Sequence, residues 1–132
     1  MTNAPVTATD FTTLDLFNTL EDWSEAQLDD LDFGVIGFDA KGVVHRYNAF
    51  ESVAAGLSKE RVVGQPLFTV VAPCMNNFLV AQRFEEATET KSALDETIGY
   101  VLTLRMRPVK VRLRLLSSPG ATSCYVLVQR TI

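Results

Sequence analysis

Between Val109 and Leu115 the chain reads VKVRLRL, so that Val109, Val111, Leu113 and Leu115 alternate with Lys110, Arg112 and Arg114. A period of two puts apolar side chains on one face and bases on the other, the pattern of a half-buried β-strand rather than of a helix. Neighbouring segments repeat it. ETIGYVLTLRM places Ile98, Tyr100, Leu102, Leu104 and Met106 on one face, and the turn SSPGA leads into SCYVLVQR. Two earlier strands, FGVIGFD and VVHRYN, are separated by the four residues DAKG, which makes them a hairpin.

Helical spacing fills the remainder. FTTLDLFNTLEDW sets Phe11, Leu14, Phe17 and Leu20 on roughly one stripe, and Ser24 opens a second short helix with Gln27 as its capping-box partner and Leu28 and Leu31 facing inward. Neither helix can bury its apolar face alone, so the two are expected to form a cap over residues 1–31 that packs on a core spanning 32–132. NAFESVAAG predicts a short helix with Asn48 as N-cap, Glu51 three residues on and Gly56 as stop; SKERVVG repeats the design from Ser58 to Gly64. NNFLVAQRFEEATETK is the strongest helix, with Val80, Phe84 and Ala87 on one face and Asn76 or Asn77 as cap. A chain of 132 residues is one domain. This element order gives the α+β class: a five-stranded antiparallel sheet with helices on one side and an N-terminal helical cap.

Composition narrows the function. A net charge of −4 argues against nucleic acid as a partner. Residues 1–104 carry all 16 acids and a net −10, whereas residues 105–132 hold six bases and no acid; this basic stretch is either a docking face or a solvated strand face. No apolar run reaches the roughly 18 residues that cross a bilayer, and MTNAPVTATDF lacks the basic and apolar regions of a secretory signal, so a cytoplasmic protein off the membrane is expected. The single histidine, His45, reads as a surface or edge side chain, and phosphate-loop, H-E-x-x-H and C-x-x-C motifs are missing, so no enzyme is expected. Cys74 follows VVAP and precedes the strongest helix, where a helix N-terminus would favour its thiolate; it reads as a nucleophile or attachment point, or as an inert buried thiol. Cys124 reads as inert. Glu51 reads as a capping-box acid or as an acid facing the core, and Tyr47 as a core aromatic.

Five motifs bring these residues together: FG-x-I at Phe33–Ile36, D-x-x-G at Asp39–Gly42, YNA-x-E at Tyr47–Glu51, V-x-G at Val62–Gly64 and VAPC at Val71–Cys74. In this spacing the chain resembles the photoactive yellow protein family, blue-light receptors of the PAS fold. The resemblance runs without gaps from about Leu28 to Cys74 and more weakly beyond, with about one inserted residue before Arg105. It implies 4-hydroxycinnamic acid (p-coumaric acid) as cofactor, thioester-linked to Cys74, with Tyr47 and Glu51 on its phenolate and Ile36, Leu67, Val71, Ala72, Leu102 and Met106 lining the pocket. It further implies signalling by trans–cis isomerisation, proton transfer from Glu51 and loosening of the N-terminal cap, read by an unidentified downstream signalling protein, in a monomer or weak dimer. The alternative within the same fold is a PAS ligand-binding or protein-interaction module without a covalent chromophore.

Some positions depart from the family pattern. Ala55 stands where many members carry a threonine that supports the tyrosine, and Leu57 where the best-known form has an arginine over the pocket. Met75 stands where threonine is frequent, and Leu102 and Leu104 replace aromatics. These changes bear on colour, chromophore pKa and recovery rate and leave Tyr47, Glu51 and Cys74 untouched.

Overall fold

The computed structural model describes residues 10–103 and 108–130. Strands β1 (Gly34–Asp39), β2 (Val44–Tyr47), β3 (Leu94–Leu102), β4 (Val109–Ser117) and β5 (Ser123–Arg130) form one antiparallel sheet in the order β2-β1-β5-β4-β3. The β1–β2 hairpin turns through Asp39–Gly42, where the Asp39 carboxylate accepts from the Lys41 and Val43 N–H groups and Gly42 takes φ 83°. That left-handed conformation is the reason for a glycine there.

One face of the sheet is covered by helices α3 (Ala49–Ala55), α4 (Lys59–Val62) and α5 (Ala81–Thr90), by the π turn Leu67–Val71 and by the 3₁₀ turn Pro73–Met75. This inner face carries the larger core, which runs from Ile36, Phe38 and Tyr47 through Leu67, Met75 and Phe84 to Leu113, Val126 and Val128. The α5 stripe falls as the spacing predicts, with Val80, Phe84 and Ala87 buried. The helix itself begins at Ala81, later than expected. Asn77 spends its side chain before that point, accepting from the Leu79 and Val80 N–H groups.

Helices α1 (Leu16–Asp22) and α2 (Glu25–Asp29) lie on the opposite, outer face. Their core is separate: Phe11, Leu16, Leu20, Leu28, Leu31, Phe33 and Val35 pack with Leu116, Tyr125 and Leu127. The Ser24–Gln27 capping box forms in both directions. The expected stripe needs one correction. Asp15 sits at φ 56°, and this left-handed step breaks the helical register, so Leu16 turns inward and Leu14 is left 87% exposed.

Two buried arginines of the sheet hold the cap. Arg46 on β2 donates to the carbonyls of Leu20 and Trp23, to the Glu25 carboxylate at 2.8 Å and to the Tyr125 hydroxyl. Arg114 on β4 donates to the carbonyls of Phe11 (2.9 Å) and Thr13 (2.8 Å) and takes Asp95 in a two-pronged pair. Arg112 lies over the Phe11 ring. Part of the basic face of β4 is therefore a docking face, and its occupant is the chain's own N-terminal segment. Hydrogen bonds from a charged donor contribute about 1.5–3 kcal/mol each, less where water competes. Arg114→Met should therefore cost about 2 kcal/mol, read as a lower urea midpoint with the slope unchanged, and should expose residues 10–22 to proteolysis.

Candidate functional site

The site begins where β2 meets α3. Tyr47 pairs with Ile36 across the hairpin, and both side chains enter the inner core. Asn48 then leaves the strand in extended conformation and caps α3, accepting from the Glu51 N–H at 3.1 Å. This puts Glu51 in the first turn of α3, facing the sheet and 2% exposed. Of its two readings the core-facing one is realised. The Asn48 N–H bonds to the Val35 carbonyl, and the Glu51 carboxylate instead meets Arg130, Nη1 to Oε1 at 2.7 Å and Nη2 to Oε2 at 3.0 Å. Space for it comes from Gly34, where an added Cβ would overlap Oε1.

Burial pushes the Glu51 carboxyl above the usual carboxylate range, and the Arg130 guanidinium pulls the other way. Tyr47 shows the complementary feature. Its phenol is pushed upward by burial and then by the Glu51 charge, so it stays neutral, and its buried hydroxyl has no hydrogen-bond partner among the described residues. A buried hydroxyl without a partner costs about 1–3 kcal/mol, and a phenol held neutral there is a ready donor to an oxyanion. Ala55, buried at the end of α3, carries no hydroxyl.

Cys74 lies in the 3₁₀ turn Pro73–Met75, half-buried against the same inner core. Because α5 starts seven residues later, the thiol does not stand at that helix's N-terminus, and the expected dipole effect does not apply. The turn is fixed otherwise: Tyr100 Oη donates to the Cys74 carbonyl at 2.5 Å, and Asn77 Nδ2 reaches both that carbonyl and Tyr100 Oη. Ahead of it, the Leu67–Val71 turn is wide, with the Val71 and Ala72 N–H groups bonding five residues back to Pro66 and Leu67. Such π turns gather at functional positions.

Ile36, Leu67, Val71, Ala72 and Leu102 belong to the inner core with Tyr47, and Leu57 packs against it; Met106 lies outside the described residues. His45 is exposed on β2, its ring bonded to Ser123 Oγ. Cys124 borders a different cleft of about 360 Å³ formed with Phe38, Phe68 and Phe84, and burial pushes its thiol up to about 11. Sequence reasoning missed Arg130, Gly34 and the Tyr100–Asn77 brace. Arg130 was within reach: it continues the inward parity of Val126 and Val128, so a charge at that step needs a buried partner.

Two outcomes test this geometry. Gly34→Ala should push Glu51 off Arg130 and cost about 2 kcal/mol by urea unfolding, with the loss much reduced in a Glu51→Ala background. At pH 8 about one Cys124 thiol in a thousand is ionised, so its alkylation should be slow and should rise about tenfold per pH unit toward 11, as followed by peptide mass. Labelling of Cys124 that ignores pH would contradict its burial.

No family model matches the chain. Curated relatives do. It is 33% identical over 116 residues to the photoactive yellow protein of Rhodothalassium salexigens, covering 88% of this chain and 92% of that one. The photoactive yellow protein of Halochromatium salexigens matches at the same identity and coverage. Among solved structures, the photoactive yellow protein domain of the sensor histidine kinase Ppr from Rhodospirillum centenum superposes with a TM-score of 0.77 at 34% identity, over 86% of this chain and 98% of that one. A PAS domain of an HTR-like protein from Haloarcula marismortui superposes at 0.63 with 14% identity, over 89% of this chain and all of that one, a likeness of fold alone. With its five-stranded antiparallel sheet, its helices and these relatives, the chain belongs to the photoactive yellow protein family, PAS-fold sensor domains rather than enzymes.

Proposed function

We propose that the chain is a blue-light photoreceptor carrying p-coumaric acid as a thioester on Cys74. The observation that carries this reading is the Tyr47 hydroxyl, a buried donor without a partner among the described residues, beside a buried carboxyl and in one apolar core with a half-buried thiol. A phenolate in such a place needs donors, and Tyr47 and a protonated Glu51 would supply two. The group, when bound, supplies a double bond that blue light isomerises and a phenolate that takes up a proton.

The chain's own residues do the rest. Tyr47 donates to the phenolate oxygen. Glu51, its proton held more tightly by burial, keeps that proton in the dark, because two negative charges at hydrogen-bonding distance in an apolar site exclude each other. Ile36, Leu67, Val71, Ala72 and Leu102 would exclude water, as the family resemblance also implies for Met106 outside the described residues, and the Cys74 N–H would hold the thioester carbonyl. In the light Glu51 gives up its proton, and a charged carboxylate in an apolar site strains its surroundings.

A route to the cap runs through Asn48, whose side-chain amide donates to the Leu28 carbonyl at the end of α2 while its oxygen caps α3; Asp29 also accepts from the Ala49 N–H at 2.7 Å. The cap, described from residue 10 to residue 31, would loosen from the outer face, and a downstream signalling protein, still unidentified, would distinguish its docked and released forms. The reading places the chain in the cytoplasm as a monomer or weak dimer. Among the described residues no helix is long and apolar enough to cross a membrane.

Reconstitution with activated p-coumarate tests it. The chain should turn yellow and gain one p-coumaroyl adduct, located by digestion on the Cys74 peptide and lost in Cys74→Ala. Hydrogen exchange in residues 11–31 should rise under blue light and fall back in the dark. A colourless chain without adduct would overturn the reading and leave a PAS module that binds something else.

A further inference from the structure

The Glu51 carboxylate is paired with Arg130 on the inner face. Both oxygens are taken by one guanidinium, in the parallel geometry that binds a carboxylate most strongly. Arg130 stands on the inner face at the end of β5, beyond Val128, and its side chain is only 19% exposed. Gly34, opposite Val128 in the β1–β5 register, leaves open the space in which the carboxyl lies. Tyr47 is close enough that the Glu51 charge moves its phenol, yet it makes no hydrogen bond to that carboxylate. The carboxyl thus has a neighbour it does not use and a counter-ion it does.

We propose that Arg130 is the counter-ion that receives Glu51 after it has given up its proton, so that the carboxyl works between two stations. This rests on the photoreceptor reading. With the phenolate seated, Glu51 is a neutral acid turned toward it, and Arg130 faces no ionised partner there. In the light, the Glu51 O–H bond breaks, the proton forms a new O–H bond on the phenolate oxygen, and the electron pair stays on the carboxylate. No charge enters or leaves the pocket; the negative charge moves from the phenolate to Glu51. The carboxylate then takes the two-pronged arrangement with Arg130. Among the described residues the Arg130 guanidinium hydrogen-bonds Glu51, and it acts as a positioning residue. Its two-pronged bond to an ionised Glu51 forms in the light state and not in the dark one, which is the differential interaction that shifts an equilibrium.

The test is made on the reconstituted chain. Arg130→Gln should keep one adduct per chain and shift the Glu51 proton equilibrium in the light at least tenfold toward the acid. The readout is a smaller light-induced loss of the protonated-carboxyl infrared band. Arg130→Lys keeps the charge without the two-pronged geometry and should fall between Arg130→Gln and the parent. In a Glu51→Gln background Arg130→Gln should leave the light-state lifetime unchanged, since no carboxylate forms. A full band loss in Arg130→Gln, or an equal change of lifetime in both backgrounds, would overturn the proposal. If the chain never takes up the group, the photoreceptor reading fails by itself, and the pair is still tested in the ligand-free chain. There Arg130→Gln should raise the Glu51 titration midpoint, followed by its carboxyl carbon resonance, by about one pH unit or more. An unmoved midpoint would overturn the pairing.

Discussion

Asn48 is buried with all four hydrogen-bonding positions of its side chain filled. The amide nitrogen donates to the carbonyls of Leu28 and Phe33, and the oxygen accepts from the Val35 and Glu51 N–H groups. These atoms belong to the end of the cap, the approach to β1, β1 itself and the start of α3. A carboxamide has two donors and two acceptor sites, and a satisfied buried one fixes the relative positions of everything it touches. Tyr47 and Glu51 flank it in sequence, so the phenol and the carboxyl are placed by the same side chain that ties the cap to the sheet. A change at the carboxyl cannot move α3 without pulling on the last carbonyls of α2. Any coupling between the carboxyl and the cap would need no long pathway, since one amide joins them.

The two faces of the sheet use buried charge differently. On the outer face Arg46 and Arg114 reach carbonyl oxygens of the N-terminal segment, and their carboxylate partners Glu25 and Asp95 are half exposed. Those ion pairs contribute little, because water screens them; the carbonyl contacts hold the segment. They are directional as well, so the cap docks in one register where an apolar patch alone would tolerate several. The segment that they hold is weak by itself, seven residues in α1 and five in α2, too short to persist undocked. It folds only against the sheet, which makes it the part of the molecule that a small bias can release. On the inner face the Arg130–Glu51 pair is enclosed on both sides, and each partner depends on the other for the solvation it has lost.

Most of the architecture was legible from periodicity because single strands and helices are governed by local rules. The alternation at Val111–Leu115, the Ser24 capping box, the Asn48 cap and the Gly56 stop are each written in a few adjacent residues. Misplacements arose where a contact from elsewhere intervened. Leu14 kept the helical period on paper, but the left-handed step at Asp15 handed its place to Leu16. The start of α5 moved because Asn77 was engaged in a turn that also braces Cys74. Arg114 reads as a solvated base until Phe11 and Thr13, a hundred residues earlier, supply the carbonyls that bury it. Tyr47, Glu51 and Cys74 stand out in the sequence only as a set and through family resemblance, since each has an ordinary structural use. Arg130 escaped because its partner is far away in sequence and no local pattern announces an ion pair.

Counting charge around Glu51 explains why such a site can carry a proton at all. Among the described residues the structure pairs it with one guanidinium, so the two charges balance. Adding a phenolate makes two anions face one cation in a place that hydrates none of them well, and the cheapest remedy is a single proton. Burial raises the carboxyl's proton affinity toward that outcome, while the Arg130 guanidinium pulls the other way. Burial alone would leave an acid that never ionises, and a better-solvated pair would leave a carboxylate that never takes up a proton. Between these limits the proton's position depends on where the other negative charge sits, and that is the quantity an isomerising group would change.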